Sequence, residues 1–192
     1  MSVNGDPRPI GVFDSGIGGL TTVRELFDRL PGESVVYFGD TARLPWGNKS
    51  KDTVTRFSVE IASFLVRQHV KCVVVACNTA SSQALDALRE RFDVPLIGVI
   101  EPAARAAVAA SPNGRIGVAG TLATVGSNAY ADAITRLAPK VHVEQRACPL
   151  FVPLVEEGWL DHAVTKLVAD EYLSELKAAN LDSLILGCTH YP

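Results

Sequence analysis

Short apolar runs alternate with longer amphipathic stretches along the whole chain. Runs rich in β-branched residues at 10–13, 35–39, 72–76, 96–99, 116–119, 141–145 and 184–187 predict seven strands. Between them, apolar positions at helical spacing predict helices over 19–30, 50–68, 81–92, 102–110, 127–137 and 161–179, with a shorter one near 150–157. Val73-Val74-Val75-Ala76 and Leu184-Ile185-Leu186 are apolar on both faces, as strands covered by helices on each side must be. Alternation of this kind predicts an α/β fold with mainly parallel sheets flanked by helices.

The pattern also repeats. Ile10-Gly11-Val12 followed by Asp14-Ser15 is echoed by Ile116-Gly117-Val118 followed by Gly120-Thr121. Val75-Ala76-Cys77-Asn78-Thr79 is echoed, at nearly the same offset, by Leu186-Gly187-Cys188-Thr189-His190. Two similar α/β domains are expected, residues 1–98 and 99–192, with the active site in the cleft between them.

Ligands of open parallel sheets bind at the carboxyl ends of the strands. Here those ends carry Asp14-Ser15, Asp40-Thr41, Cys77-Asn78-Thr79, Gly120-Thr121 and Cys188-Thr189-His190. Polar residues after a strand are ordinary helix caps; two cysteines at equivalent positions are not explained by capping. A cysteine at a helix N-terminus is expected to have a lowered pKa and to exchange protons near neutral pH. Two such thiols on opposite sides of one carbon would invert a stereocentre, one removing a proton from one face and the other delivering a proton to the opposite face. Asp14 and His190 are placed to assist them. Ser15, Asn78, Thr79, Thr121 and Thr189 have the hydrogen-bonding groups to hold an amino acid, and the backbone of Gly16–Gly19 suits a carboxylate.

Composition narrows the alternatives. Hydrophobic residues make up 47% and charged residues 20% of 192, so the chain buries an ordinary core. A net charge of −3 offers no electrostatic attraction to nucleic acid or an anionic membrane. No apolar run is long enough to span a bilayer and no signal peptide is evident, so a cytoplasmic location is expected. The four cysteines, Cys72, Cys77, Cys148 and Cys188, are then free thiols; Cys72 and Cys148 read as structural, and His69, His142 and His162 as surface or packing residues. Cys77, Cys188, His190 and Asp14 are suitable zinc ligands, but their spacing matches no compact site, so no metal is expected. The Gly16–Gly19 cluster lacks both the P-loop and the dinucleotide fingerprint. No lysine ends a strand as an evident pyridoxal phosphate anchor.

The blocks Phe13-Asp14-Ser15-Gly16-Ile17-Gly18-Gly19-Leu20, Gly39-Asp40-Thr41-Ala42-Arg43-Leu44-Pro45, Ala76-Cys77-Asn78-Thr79-Ala80 and Leu186-Gly187-Cys188-Thr189-His190-Tyr191-Pro192 resemble, in order, the signatures of the glutamate racemase family. The resemblance implies a cofactor-free interconversion of L- and D-glutamate that supplies D-glutamate for peptidoglycan. It implies that Cys77 acts on one enantiomer and Cys188 on the other, with Asp14, Glu156 and His190 supporting proton transfer. Ser15, Pro45, Trp46, Gly47, Asn78, Thr79, Thr121, Thr189 and His190 would line the pocket. Glu156 rests on the resemblance alone; by itself it reads as a solvated helix residue. A gyrase interaction is likewise implied by resemblance only, and a homodimer is left open. Racemisation of aspartate or another acidic amino acid, and a truncated fragment that merely binds an amino acid or a partner, are the alternatives.

Two departures stand out. Trp46 occupies a position where the family usually has tyrosine, and the chain stops at Pro192 while family members continue well past that block. On that resemblance, apolar surface of the first sheet would be left uncovered. The isolated 192-residue chain is therefore expected to be poorly stable and weakly active or inactive; a cooperative thermal melt with family-like turnover would contradict this.

Overall fold

The structure is a computed structural model that describes residues 6–192. The described chain divides between Val99 and Ile100 into two units. The first contains β1 (Ile10–Asp14), α1 (Leu20–Arg29), β2 (Val35–Gly39), a 3₁₀ turn (Thr41–Arg43), α2 (Lys51–Arg67), β3 (Cys72–Val75), α3 (Asn78–Gln83), α4 (Leu85–Arg91) and β4 (Leu96–Gly98). Its strands are all parallel in the order β2-β1-β3-β4. The period-two alternation of side chains splits them between two apolar layers. Phe13, Val73 and Val75 pack with Val54, Ile61, Ala62 and Leu65 of α2 and Leu88 of α4. Ile10, Val12, Val74 and Ala76 turn the other way, toward Val23 of α1.

The second unit contains α5 (Ile100–Ala109), β5 (Arg115–Gly120), α6 (Leu122–Gly126), α7 (Ala129–Leu137), β6 (His142–Ala147), α8 (Phe151–Glu156), α9 (Ala163–Ala178) and β7 (Ser183–Gly187). Its strands are again parallel, in the order β6-β5-β7. Ile116, Val118 and Ile185 pack against α5 and α7, while Ala119 faces Leu176 of α9 and Cys148. Both units thus place the strand that opens the sequence repeat beside the strand that ends in the cysteine: β1 beside β3, and β5 beside β7.

All seven predicted strands are present, displaced by a residue or two at their ends. Two helix expectations need correction. The helix predicted over 81–92 is two helices, interrupted at Ala84, whose φ of −120° is not helical. Ser81 explains the first piece: its hydroxyl donates to Val75 O and accepts from the Val99 N–H, tying α3 to the strand ends. The helix predicted over 127–137 starts at Ala129, and α6 precedes it in a stretch assigned no helix. The break falls at Asn128, which is left-handed at φ 57°. α5 begins before Pro102; proline is tolerated in a first turn because the N–H it lacks would have no intrahelical acceptor there.

Among the described residues, no helix is long and apolar enough to cross a membrane. Apolar side chains lie exposed on an edge strand of each sheet, Ile97 of β4 in the first and Leu184 and Leu186 of β7 in the second. Leu160 and Leu167, beside and within α9, are exposed as well.

Gly39, at the end of β2, lies where a Cβ would come within 2.3 Å of the Gly16 carbonyl oxygen. That backbone cannot yield without moving the loop after β1. Gly39→Ala is therefore expected to destabilise the protein by about 1–3 kcal/mol. Gly126→Ala, whose Cβ would meet open space, should cost nothing. Denaturant midpoints of the two variants check this, and equal midpoints would remove the close approach as a constraint.

Candidate active site

In the first unit, β1 delivers Asp14 to the sheet edge fully buried. The Gly16 N–H donates to Asp14 Oδ2 at 3.0 Å, so the loop closes over its own carboxylate. The loop can lie this close because residue 19 is glycine; a Cβ there would stand 2.5 Å from Asp14 Cβ. From β2, the Tyr37 hydroxyl donates to the Gly16 carbonyl at 2.6 Å and holds the loop from the other side. Burial, with the nearby Asp14 and Cys77 charges, pushes the Tyr37 phenol up, so it stays a proton donor. Sequence reasoning passed over Tyr37 because an aromatic residue within a strand reads as packing.

Cys77 follows β3 and caps α3: its Sγ accepts from the Ala80 N–H and lies 3.4 Å from Ser15 Oγ. The residue is 4% exposed. The sequence led to a lowered pKa, and here the structure corrects it. Burial and the Asp14 carboxylate push the Cys77 thiol up to about 11, against the smaller opposing effects of the Ser15 hydroxyl and the Ala80 and Ser15 backbone groups. Desolvation disfavours the thiolate more than a six-residue helix and these donors favour it. Asp14, Ser15 and Cys77 are thus brought together, with Asn78 and Thr79 buried immediately beyond.

The second-block residues are arranged differently from expectation. Pro45 is exposed and Gly47 is buried. The Trp46 side chain is 1% exposed and lies in the apolar layer against the Phe57 ring, with centroids 5.6 Å apart. Its indole therefore serves packing rather than lining a polar pocket.

In the second unit, Thr121 follows β5 and caps α6 by accepting from the Thr124 N–H. Cys188 follows β7 and is buried. Its Sγ lies 3.8 Å from His190 Nδ1, and His190 Nε2 lies 2.6 Å from Glu156 Oε1 at the end of α8. A carboxylate accepts, so Nε2 carries the hydrogen and Nδ1 turns its lone pair to the thiol; this tautomer is assigned from the hydrogen-bond network. Cys188, His190 and Glu156 form a thiol–imidazole–carboxylate chain, the arrangement that activates a nucleophile or an acid–base group. The imidazole is 4% exposed and the carboxylate 38%, so the chain reaches from the interior toward water. Tyr191 steadies its base by donating to the Cys148 carbonyl at 2.9 Å and packing edge-on to Phe151. Thr189 lies between the thiol and the imidazole in the chain.

Cys72 and Cys148 take no part in either cluster; burial raises both thiols, Cys148 to about 11. Among the described residues, no three His, Cys, Asp or Glu side chains gather where they could hold a metal ion.

The Asp/Glu/Hydantoin racemase family model matches residues 16–192. The glutamate racemase of Geobacter metallireducens is 58% identical over 185 residues, covering 96% of this chain and 68% of that protein. The glutamate racemase of Neisseria meningitidis is 53% identical over 189 residues, covering 98% and 70%. Among solved structures, a glutamate racemase isoform of Bacillus anthracis superposes with a TM-score of 0.93 at 44% identity, covering 96% of this chain and 70% of that one. The glutamate racemase of Francisella tularensis, solved in complex with D-glutamate, superposes with a TM-score of 0.89 at 45% identity, covering 97% and 70%. An aspartate racemase of Picrophilus torridus, at 14% identity and a TM-score of 0.68, shares the fold. The chain belongs to the Asp/Glu/Hydantoin racemase family, and within it to the glutamate racemases.

Proposed function

We propose that the chain interconverts L- and D-glutamate without a cofactor, with Cys77 and Cys188 as the two acid–base groups. The observation that carries the mechanism is the equivalence of the two cysteines: each follows the strand paired to the opening strand of its unit, and each has a distinct set of acid–base neighbours. Identity of 53–58% to glutamate racemases supports glutamate over aspartate as substrate. The D-glutamate formed would serve peptidoglycan synthesis.

The chemistry is a proton exchange at one carbon. The thiolate of one cysteine takes the α-proton; the electron pair of the broken C–H bond passes into the adjacent carboxylate as an enediolate-like species. The thiol of the other cysteine then protonates the opposite face. The two cysteines exchange protonation states in each turnover, and the reverse reaction exchanges their roles. A single base would return the proton to the face it left, which is why two are required. Asp14 adjoins Cys77, and His190 backed by Glu156 adjoins Cys188, so each thiol has its own secondary proton carrier. Ser15, Asn78, Thr79, Thr121 and Thr189 provide hydroxyl and amide groups for the substrate's ammonium and carboxylates, and Pro45 to Gly47 provide a turn beside the end of β2.

Solvent deuterium followed into the α-carbon tests the mechanism. In the complete protein, Cys77→Ser and Cys188→Ser should each abolish racemisation; wild-type-like turnover by either variant would refute the two-base scheme. His190→Asn removes the imidazole next to Cys188 and is expected to lower kcat/KM by about 10²-fold or more.

The raised Cys77 thiol gives a pH prediction with a definite sign. In the direction that uses Cys77 as base, the free enzyme must lose the Cys77 proton, so kcat/KM should rise toward alkaline pH. Asp14→Asn removes a negative charge that disfavours the thiolate and should shift that rising limb to lower pH, whatever it does to the maximal rate. Profiles measured in both directions check this, and an unmoved limb would show that the Asp14 charge does not govern the thiol.

A further inference from the structure

Arg43 holds the turn after β2 through two carboxylates. Arg43 closes the 3₁₀ turn at Thr41–Arg43, and its Nε donates to Asp40 Oδ2 at 2.6 Å. Its Nη1 donates to Glu60 of α2. The guanidinium carbon lies 4.0 Å from the centre of the Phe57 ring, the same ring that packs on Trp46. Asp40 is buried, and its backbone N–H donates to the Asp14 carbonyl at 3.1 Å, so the base of this turn is tied to the strand end that carries Asp14.

Trp46 adds the second half of the argument. Its indole N–H is buried with no hydrogen-bond partner. Packing alone therefore fixes this side chain, and the Phe57 ring is part of that packing. Whatever holds Phe57 in place therefore also holds residue 46 and the turn around it.

We infer that Arg43 is a positioning residue for glutamate racemisation: by joining Asp40 to Glu60 across the Phe57 ring, it fixes the turn that carries Pro45 and Gly47 beside the substrate, with Trp46 as the buried anchor of that turn. The inference rests on the reading that Pro45 and Gly47 belong to the substrate pocket. An arginine is required because a flat guanidinium reaches two carboxylates through fixed N–H directions while stacking on an aromatic ring; a lysine ammonium supplies the charge but neither the fork nor the flat face. No group of this assembly is among the acid–base groups of the proposed reaction. Its loss weakens the hold on substrate in ground and transition states alike, which raises KM and leaves kcat nearly unchanged.

The test is steady-state kinetics of the complete protein with both glutamate enantiomers, alongside thermal melts. Arg43→Met is expected to raise KM about tenfold for both enantiomers with kcat within about twofold, and Arg43→Lys to raise KM by roughly threefold. A folded Arg43→Met variant with unchanged KM overturns the inference. So does one whose kcat and kcat/KM fall equally at constant KM. Should Arg43→Met fail to fold, Arg43→Lys and Phe57→Leu decide: raised KM for both enantiomers in the folded variants supports the inference, and unchanged KM overturns it. A wild-type protein that does not racemise glutamate removes the functional reading and this inference together, whereas a racemising wild type beside an Arg43→Met of unchanged KM removes the inference alone.

Discussion

Parallel pairing is the constraint on which both units depend. Strands that run the same way bring their carboxyl ends to one edge of the sheet, and every pairing described in this chain is parallel. Asp14 of β1, Asp40 after β2 and Cys77 after β3 are neighbours for that reason, although they are far apart in sequence. The same rule brings Gly120 of β5 level with Gly187 of β7, one residue before Cys188. The register leaves little freedom: a slip of one residue would turn Phe13, Val73 and Val75 to the wrong layer and displace the polar residues that follow them.

The two cysteines occupy matching positions but different electrostatic settings. Cys77 is enclosed with a carboxylate nearby, and both influences favour the thiol. Cys188 adjoins an imidazole that is itself anchored by Glu156. A reversible proton exchange does not need symmetrical groups; it needs each thiol to have a neighbour able to stabilise the form it must adopt. The family comparison, which covers nearly the whole chain, concerns the reaction as a whole, whereas this difference between the sites belongs to the local chemistry of each loop.

Much of this was legible in the sequence, for physical reasons that can be named. Apolar runs such as those of β1, β3 and β7 marked their strands plainly, although Leu184 and Leu186 of β7 lie exposed, and the cysteines stood out because each followed such a run. Four features were not legible. The five residues Leu122–Gly126 are too few to display a helical period, so α6 was missed. Glu156 has the appearance of a solvated helix end, and only its bond to His190, 34 residues away, distinguishes it; the family resemblance supplied it where periodicity did not. The Cys77 pKa was misjudged because a helix terminus is visible in sequence, whereas burial and the approach of Asp14 are tertiary facts. Trp46 was placed among pocket residues by its block, yet packing took its side chain into the core.

The partial exposure of Glu156 has a consequence for isotope exchange. Under the two-base scheme, a hydrogen captured by Cys188 would have an outlet through imidazole and carboxylate to bulk water, so a solvent hydrogen would replace it. Cys77 is buried like Cys188, but its carboxylate neighbour Asp14 is itself fully buried, which makes a more secluded berth for the same atom. Under the two-base scheme, label lost at one sulfur would wash out within a turnover, while label taken up at the other would linger and return. The enzyme would then treat its mirror-image substrates unequally in memory, even though the equilibrium between them is even-handed.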